Sequence, residues 1–148
     1  MAQRKQGVSA ELDELSSTLV GDALDLLAEG DDVNVLLVLQ DASGNTASYE
    51  FADDSTEMLL EAAHDRIKMM SRNHGDSITG IDEPIRYALV YEGMVADEDG
   101  AYLDALMLEF GERGWNAYSA FSLYEGKGAG DGFAWTDPAP AGEIEPLL

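Results

Sequence analysis

Apolar positions recur along this chain with two spacings, and the changes between them predict its elements. Leu12, Leu15, Leu19, Ala23, Leu26 and Leu27 fall on one face of a helix. Ser9 is placed to cap it, and Glu11, Asp13 and Glu14 lie in its first turn, where the helix dipole favours carboxylates. Gly30 suits the position after its end. "VNVLLVLQ", Val33 to Gln40, is apolar at both parities, as in a central strand covered on both faces. "DASGN" is turn chemistry, and "TASYEF" alternates, so a hairpin is expected.

Asp54 with Glu57 reads as a capping pair for a second helix. Its buried stripe would be Met58, Leu59, Ala62, Ala63, Ile67 and Met70. Residues 76–84 read as a loop. Three strands follow, "IRYALVYEGMV", "AYLDALMLEF" and "WNAYSAFSLYE", joined by the polar breaks "ADEDG" and "GERG". The expected fold is α+β: a mostly antiparallel five-stranded sheet, order α-β-β-α-β-β-β, with both helices packed on one face. Residues 1–125 would form a single domain. Residues 126–148 would be a Gly/Pro-rich tail: "GKGAGDG" a flexible link, and the segment with Phe133 and Trp135 docked on the domain or on a second copy, since both rings are costly to leave in water. The last strand is apolar at both parities, so either the tail or a homodimer covers the second face.

Charge changes this picture most. Thirty acidic residues against eight basic ones give −22. The bases are scattered, which argues against nucleic acid, and anionic membrane surfaces are disfavoured for the same reason. Cations and basic proteins would be attracted. Acidity also serves solubility or a salt-rich environment. There is no cysteine, which removes disulfides, thiolate metal sites and a cysteine nucleophile. No signal peptide or membrane span is read, so a cytoplasmic location is expected.

The carboxylates concentrate in "MVADEDGAYLDALMLEFGERG", Met94 to Gly114. A calcium loop beginning at Asp97 would need an acid at Ala101, glycine at Tyr102 and glutamate at Leu108, so the match fails; a loop beginning at Asp41 fails likewise. Asp97, Glu98 and Asp99 are expected at a solvated hairpin tip that, with Glu112 and Trp135, could meet a basic partner. Asp104 interrupts an apolar strand and needs a partner or an edge position; Arg86 and Arg113 are the candidate partners. Asp104, Arg86, Tyr118 and Tyr124 form the candidate ligand-binding set on the free sheet face. Glu61-x-x-His64 has the di-iron spacing but no second copy, and two histidines are too few for a conventional metal site, so His64 and His74 read as surface and helix-end residues. Nucleophile-elbow, phosphate-loop and dinucleotide patterns are missing. Neither a metal nor a cofactor is expected.

"VNVLLVLQDASGN", "RYALVYEGMV" and "YLDALMLEFGERG" together resemble a loose group of small uncharacterised bacterial α+β proteins, over about residues 12–124. Asp104-Ala105 matches a "DA" in that group and Glu112-Arg113-Gly114 an "ERg"; Tyr91-Glu92-Gly93 departs from its "yDg". The resemblance implies a fold and no chemistry. The functional expectation is a non-enzymatic, acidic interaction protein, of the inhibitor or immunity type, for a basic partner. The alternative is a small-ligand binder or enzyme around Asp104 and Arg86.

Overall fold

A computed structural model describes residues 3–148. The first helix, α1 (Ala10–Glu29), starts where Ser9 Oγ accepts the Leu12 amide and ends at Gly30, whose φ of 92° is left-handed. Strands β1 (Val35–Asp41) and β2 (Thr46–Phe51) form the expected hairpin. Helix α2 (Thr56–Arg72) is capped by Ser55, whose Oγ accepts the Met58 amide. The expected cap, Asp54, stands one residue outside and accepts the Ser55 amide instead.

The segment read as a loop contains a two-residue ladder, β3 (Gly75–Asp76) with β4 (Ile81–Asp82). Then come the long strands β5 (Pro84–Ala96), β6 (Tyr102–Glu112) and β7 (Ala117–Glu125). A 3-10 turn at Gly130–Gly132 leads to β8 (Ala134–Trp135) and β9 (Ala139–Ile144), and both pair antiparallel with the outer edge of β7. Among the described residues the main sheet has seven strands, in the order β2-β1-β5-β6-β7 with β8 and β9 beyond. The expected five strands are therefore extended by two from the tail. Pro138 and Pro140 lie along this outermost run.

The helices do not share a face, contrary to expectation. Residues paired across a ladder point to the same side, so the register sorts the sheet. Val35, Leu37, Leu39, Tyr87 and Leu89 face α2 and bury Leu59, Ala63, Ile67 and Met70. Val90, Leu106, Leu108, Ala120 and Tyr124 face α1 and bury Val20, Ala23, Leu24 and Leu27. The cause is the double-sided apolar character of β1 and β5, which one layer of helices would leave half wet. Each large aliphatic side chain so buried contributes about 1.5–3 kcal/mol.

The stretch read as a flexible link is held down. The Gly128 amide donates to Leu27 O at 2.9 Å, closing the end of α1 onto the chain after β7. A Cβ on Gly30 would lie 3.2 Å from Gly128 Cα, and both residues have positive φ, so glycine is required on both sides of this crossing.

Candidate functional site

Two surfaces and three polar networks account for the candidate residues. The first surface is a ribbon. Strand β5 pairs with β1 only as far as Tyr91, and β6 pairs with β7 only from Ala105 onward. Among the described residues, 94–104 therefore pair only with each other, Met94 with Asp104 through Ala96 with Tyr102. Met94 is 65% exposed and Tyr102 74% exposed on the α1 side of this ribbon, and Leu103 shows on the other. At the tip, Asp97 Oδ1 accepts the amides of Asp99 and Ala101 at 2.9 Å, so Asp97 fixes the turn while Glu98 and Asp99 stand in solvent. Asp104 belongs to the ribbon too; it is exposed, lies opposite Met94, and has no ion-pair partner among the described residues.

The second surface is a groove of about 780 Å³ between α1 and the outer part of the sheet. It arises because α1 lies over β5 and β6, while β7 and β9 carry the sheet beyond the helix. The helix side offers Ser16, Ser17, Val20, Gly21 and Leu24. The floor is Leu108, Phe110, Tyr118 and Ala120, and Trp135 with Pro138 and Pro140 form the far wall. Tyr118 accepts the Gly7 amide at 2.8 Å and its ring lies 6.0 Å from Phe110. Trp135 is 53% exposed.

Arg86 and Glu112 belong to the first network. Both side chains are 11% exposed. Arg86 Nε donates to Glu112 Oε1 at 3.2 Å and its Nη1 to Gln40 Oε1 at 2.8 Å, while Ser9 Oγ donates to Glu112 at 2.5 Å. These groups bind the start of α1 to the sheet. Arg86 and Asp104 are not brought together: Asp104 is opposite Met94, eight residues along β5 from Arg86, about 26 Å at the usual strand rise.

Tyr124 belongs to the second. It is buried, and its hydroxyl donates to Glu92 Oε1 at 2.8 Å; Glu92 Oε2 accepts the Val33 amide at 2.8 Å. Lys127 Nζ spans Asp32 at 2.6 Å and Glu92 at 3.0 Å. Burial, then the Glu92 hydrogen bond and charge, push the Tyr124 phenol far above its usual range. The hydrogen bond to Asp32 raises Lys127, against its desolvation, with Glu92 adding to the rise.

The third network joins His64 of α2 to Glu109 of β6, Nε2 to Oε1, at 2.8 Å. Burial and then the Glu109 charge push the nearby Tyr91 phenol up. Glu109, Glu92 and Lys127 were not among the candidate site residues, although Glu92 stands in the Tyr91-Glu92-Gly93 departure noted above. Their partners lie 45, 32 and 95 residues away, so no local spacing could reveal them.

Six of the eight basic side chains are engaged within the chain. Arg4 donates to Trp115 O and Leu148 O, Lys5 lies over the Trp115 ring, and Arg66 lies over Tyr49. Arg86, Arg113 and Lys127 pair with Glu112, Glu83 and Asp32. Lys68 and Arg72, both on α2, have no ion-pair or side-chain hydrogen-bond partner among the described residues. Among the described residues no helix is long and apolar enough to cross a membrane, and no group of three or more His, Asp or Glu is placed to hold a metal.

Neither a family model, nor a curated protein, nor a solved structure matches this chain.

Proposed function

We propose that this is a non-enzymatic interaction protein that docks the ribbon of residues 94–104 on a basic protein partner. One observation carries the reading. The ribbon leaves the sheet with Met94, Tyr102 and Leu103 exposed behind an acidic tip. An isolated two-stranded ribbon is marginal in water, so apolar side chains on both of its faces are best explained by a surface that covers them. The basic residues are largely consumed internally, so the outward field is negative and steers a cationic surface toward the tip. Glu98 and Asp99 then supply steering, and Tyr102 and Met94 supply the anchor, since buried aromatic residues dominate interface energetics. Glu112, engaged by Arg86, is a positioning residue for the fold in this reading and not a contact.

A small-ligand site around Asp104 and Arg86 would require the two to meet, but Asp104 lies on β6 opposite Met94, eight residues along the ladder from Arg86 on β5.

The test compares three immobilised proteins in a lysate of the source organism: the parent chain, Glu98→Gln with Asp99→Asn, and Met94→Ser with Tyr102→Ser. A basic protein held by the parent, eluted by moderate salt and lost from both variants supports the reading. Capture that is equal on all three, or indifferent to salt, removes it.

A further inference from the structure

We propose that the groove between α1 and the outer strands is a binding site for a small molecule with an apolar body and a positively charged group. The inference is independent of the ribbon, because the groove is lined by neither face of it.

The volume, about 780 Å³, lies within the usual range for small-molecule sites. Its floor is apolar and aromatic. Its rim carries Asp13, Asp25 and Glu143, all exposed, while among the described residues no lysine, arginine or histidine lines it. None of the three carboxylates has an ion-pair partner among the described residues. A ligand that fills the floor therefore ends at a wholly negative rim, which favours a cation and repels an anion. Trp135 at the wall presents an indole that can stack on the body or receive an ammonium group on its face.

Gly21 strengthens the case. It lies inside α1, where glycine costs about 1 kcal/mol relative to alanine. Its φ is not in the left-handed region, and a Cβ added there would meet nothing within 4 Å. Neither backbone conformation nor close packing accounts for the glycine. The space that its missing side chain leaves is part of the groove.

The test uses Trp115→Phe as the background, so that Trp135 is the one remaining tryptophan of the two. Its emission is titrated with decyltrimethylammonium, decanol and decanoate below their micelle concentrations, and with tetramethylammonium. Saturable binding of the decyl cation, at least tenfold tighter than decanoate and with no response to tetramethylammonium, is the expected result. Gly21→Leu should weaken it at least tenfold with the circular dichroism unchanged; Ser17→Leu serves the same purpose if Gly21→Leu fails to fold. Asp13→Asn with Asp25→Asn should abolish the preference for the cation over decanol. Equal affinity for decanoate, a response to tetramethylammonium of the same size, indifference to the groove-filling variants, or no saturable response at all overturns the proposal. A response confined to a cationic amphipathic peptide would also overturn it, by making the groove a protein interface.

Discussion

The Ser9 hydroxyl donates to the Glu112 carboxylate across 2.5 Å while accepting the Leu12 amide, so one side chain both starts α1 and fastens it to β6. Glu112 is also the counter-charge of the nearly buried Arg86. Removing it by Glu112→Ala leaves that guanidinium unneutralised and should destabilise the protein by about 3 kcal/mol. Arg86→Met with Glu112→Leu should recover most of the loss, because the pair offsets its own desolvation only in part. Urea unfolding of the two variants checks both outcomes.

Asp41 is fully buried and accepts from the amides of Ser43, Asn45 and Asp82 and from the Asn45 side chain. It therefore binds the β1–β2 turn to β4. Asp41→Ala should cost about 2–4 kcal/mol, since several donors lose their acceptor together. A loss below about 1 kcal/mol in chemical denaturation would contradict this account.

Stability should fall at both pH extremes for identifiable reasons. Burial opposes ionisation of Asp41, but the hydrogen bonds from Asp82, Asn45 and Ser43 outweigh it and hold the carboxyl below its usual value. Its contribution is present above about pH 4 and is lost as pH falls through the lowered folded value. Tyr124 and Lys127 are both raised, so theirs is full below about pH 10 and is lost as pH rises through the folded values. Thermal midpoints should show a shallower acid limb in Asp41→Asn and a shallower alkaline limb in Tyr124→Phe.

Gly30 and Gly21 should respond to alanine with opposite signs. Gly30→Ala places a Cβ against Gly128 at a φ of 92° and should cost about 1–2 kcal/mol. Gly21→Ala gains helix propensity in open space and should stabilise by about 1 kcal/mol. Calorimetry on the two variants separates a glycine required by the backbone from one required by the groove.

The long elements were legible because their signals are local. Ser9, Gly30 and the apolar stripe of α1 stand within a few turns of each other. The continuous apolar runs in β1 and β5 already implied a sheet covered on both sides, which is hard to reconcile with both helices on one face; the structure resolves the conflict by placing one helix on each. The tail strands were not legible. "AWTDPAPAGEI" has prolines where a strand signal would lie, and its pairing depends on the free edge of β7. The groove was invisible for the same reason: its helix wall and outer wall lie more than a hundred residues apart, although Tyr118 stands in the candidate ligand-binding set and Trp135 reads as a ring that needs cover.

The proline-bearing outermost run has a consequence for self-assembly. An exposed strand edge is a template on which another chain can continue a sheet, and proline has no N–H with which to bond a newcomer. Pro138 and Pro140 stand along the outermost run, so growth of the sheet into a ribbon of many copies is blocked on that side. The same residues form a wall of the groove. Replacing them to study binding would therefore also open an edge, and such variants should be screened for fibril formation before any lost affinity is attributed to the wall.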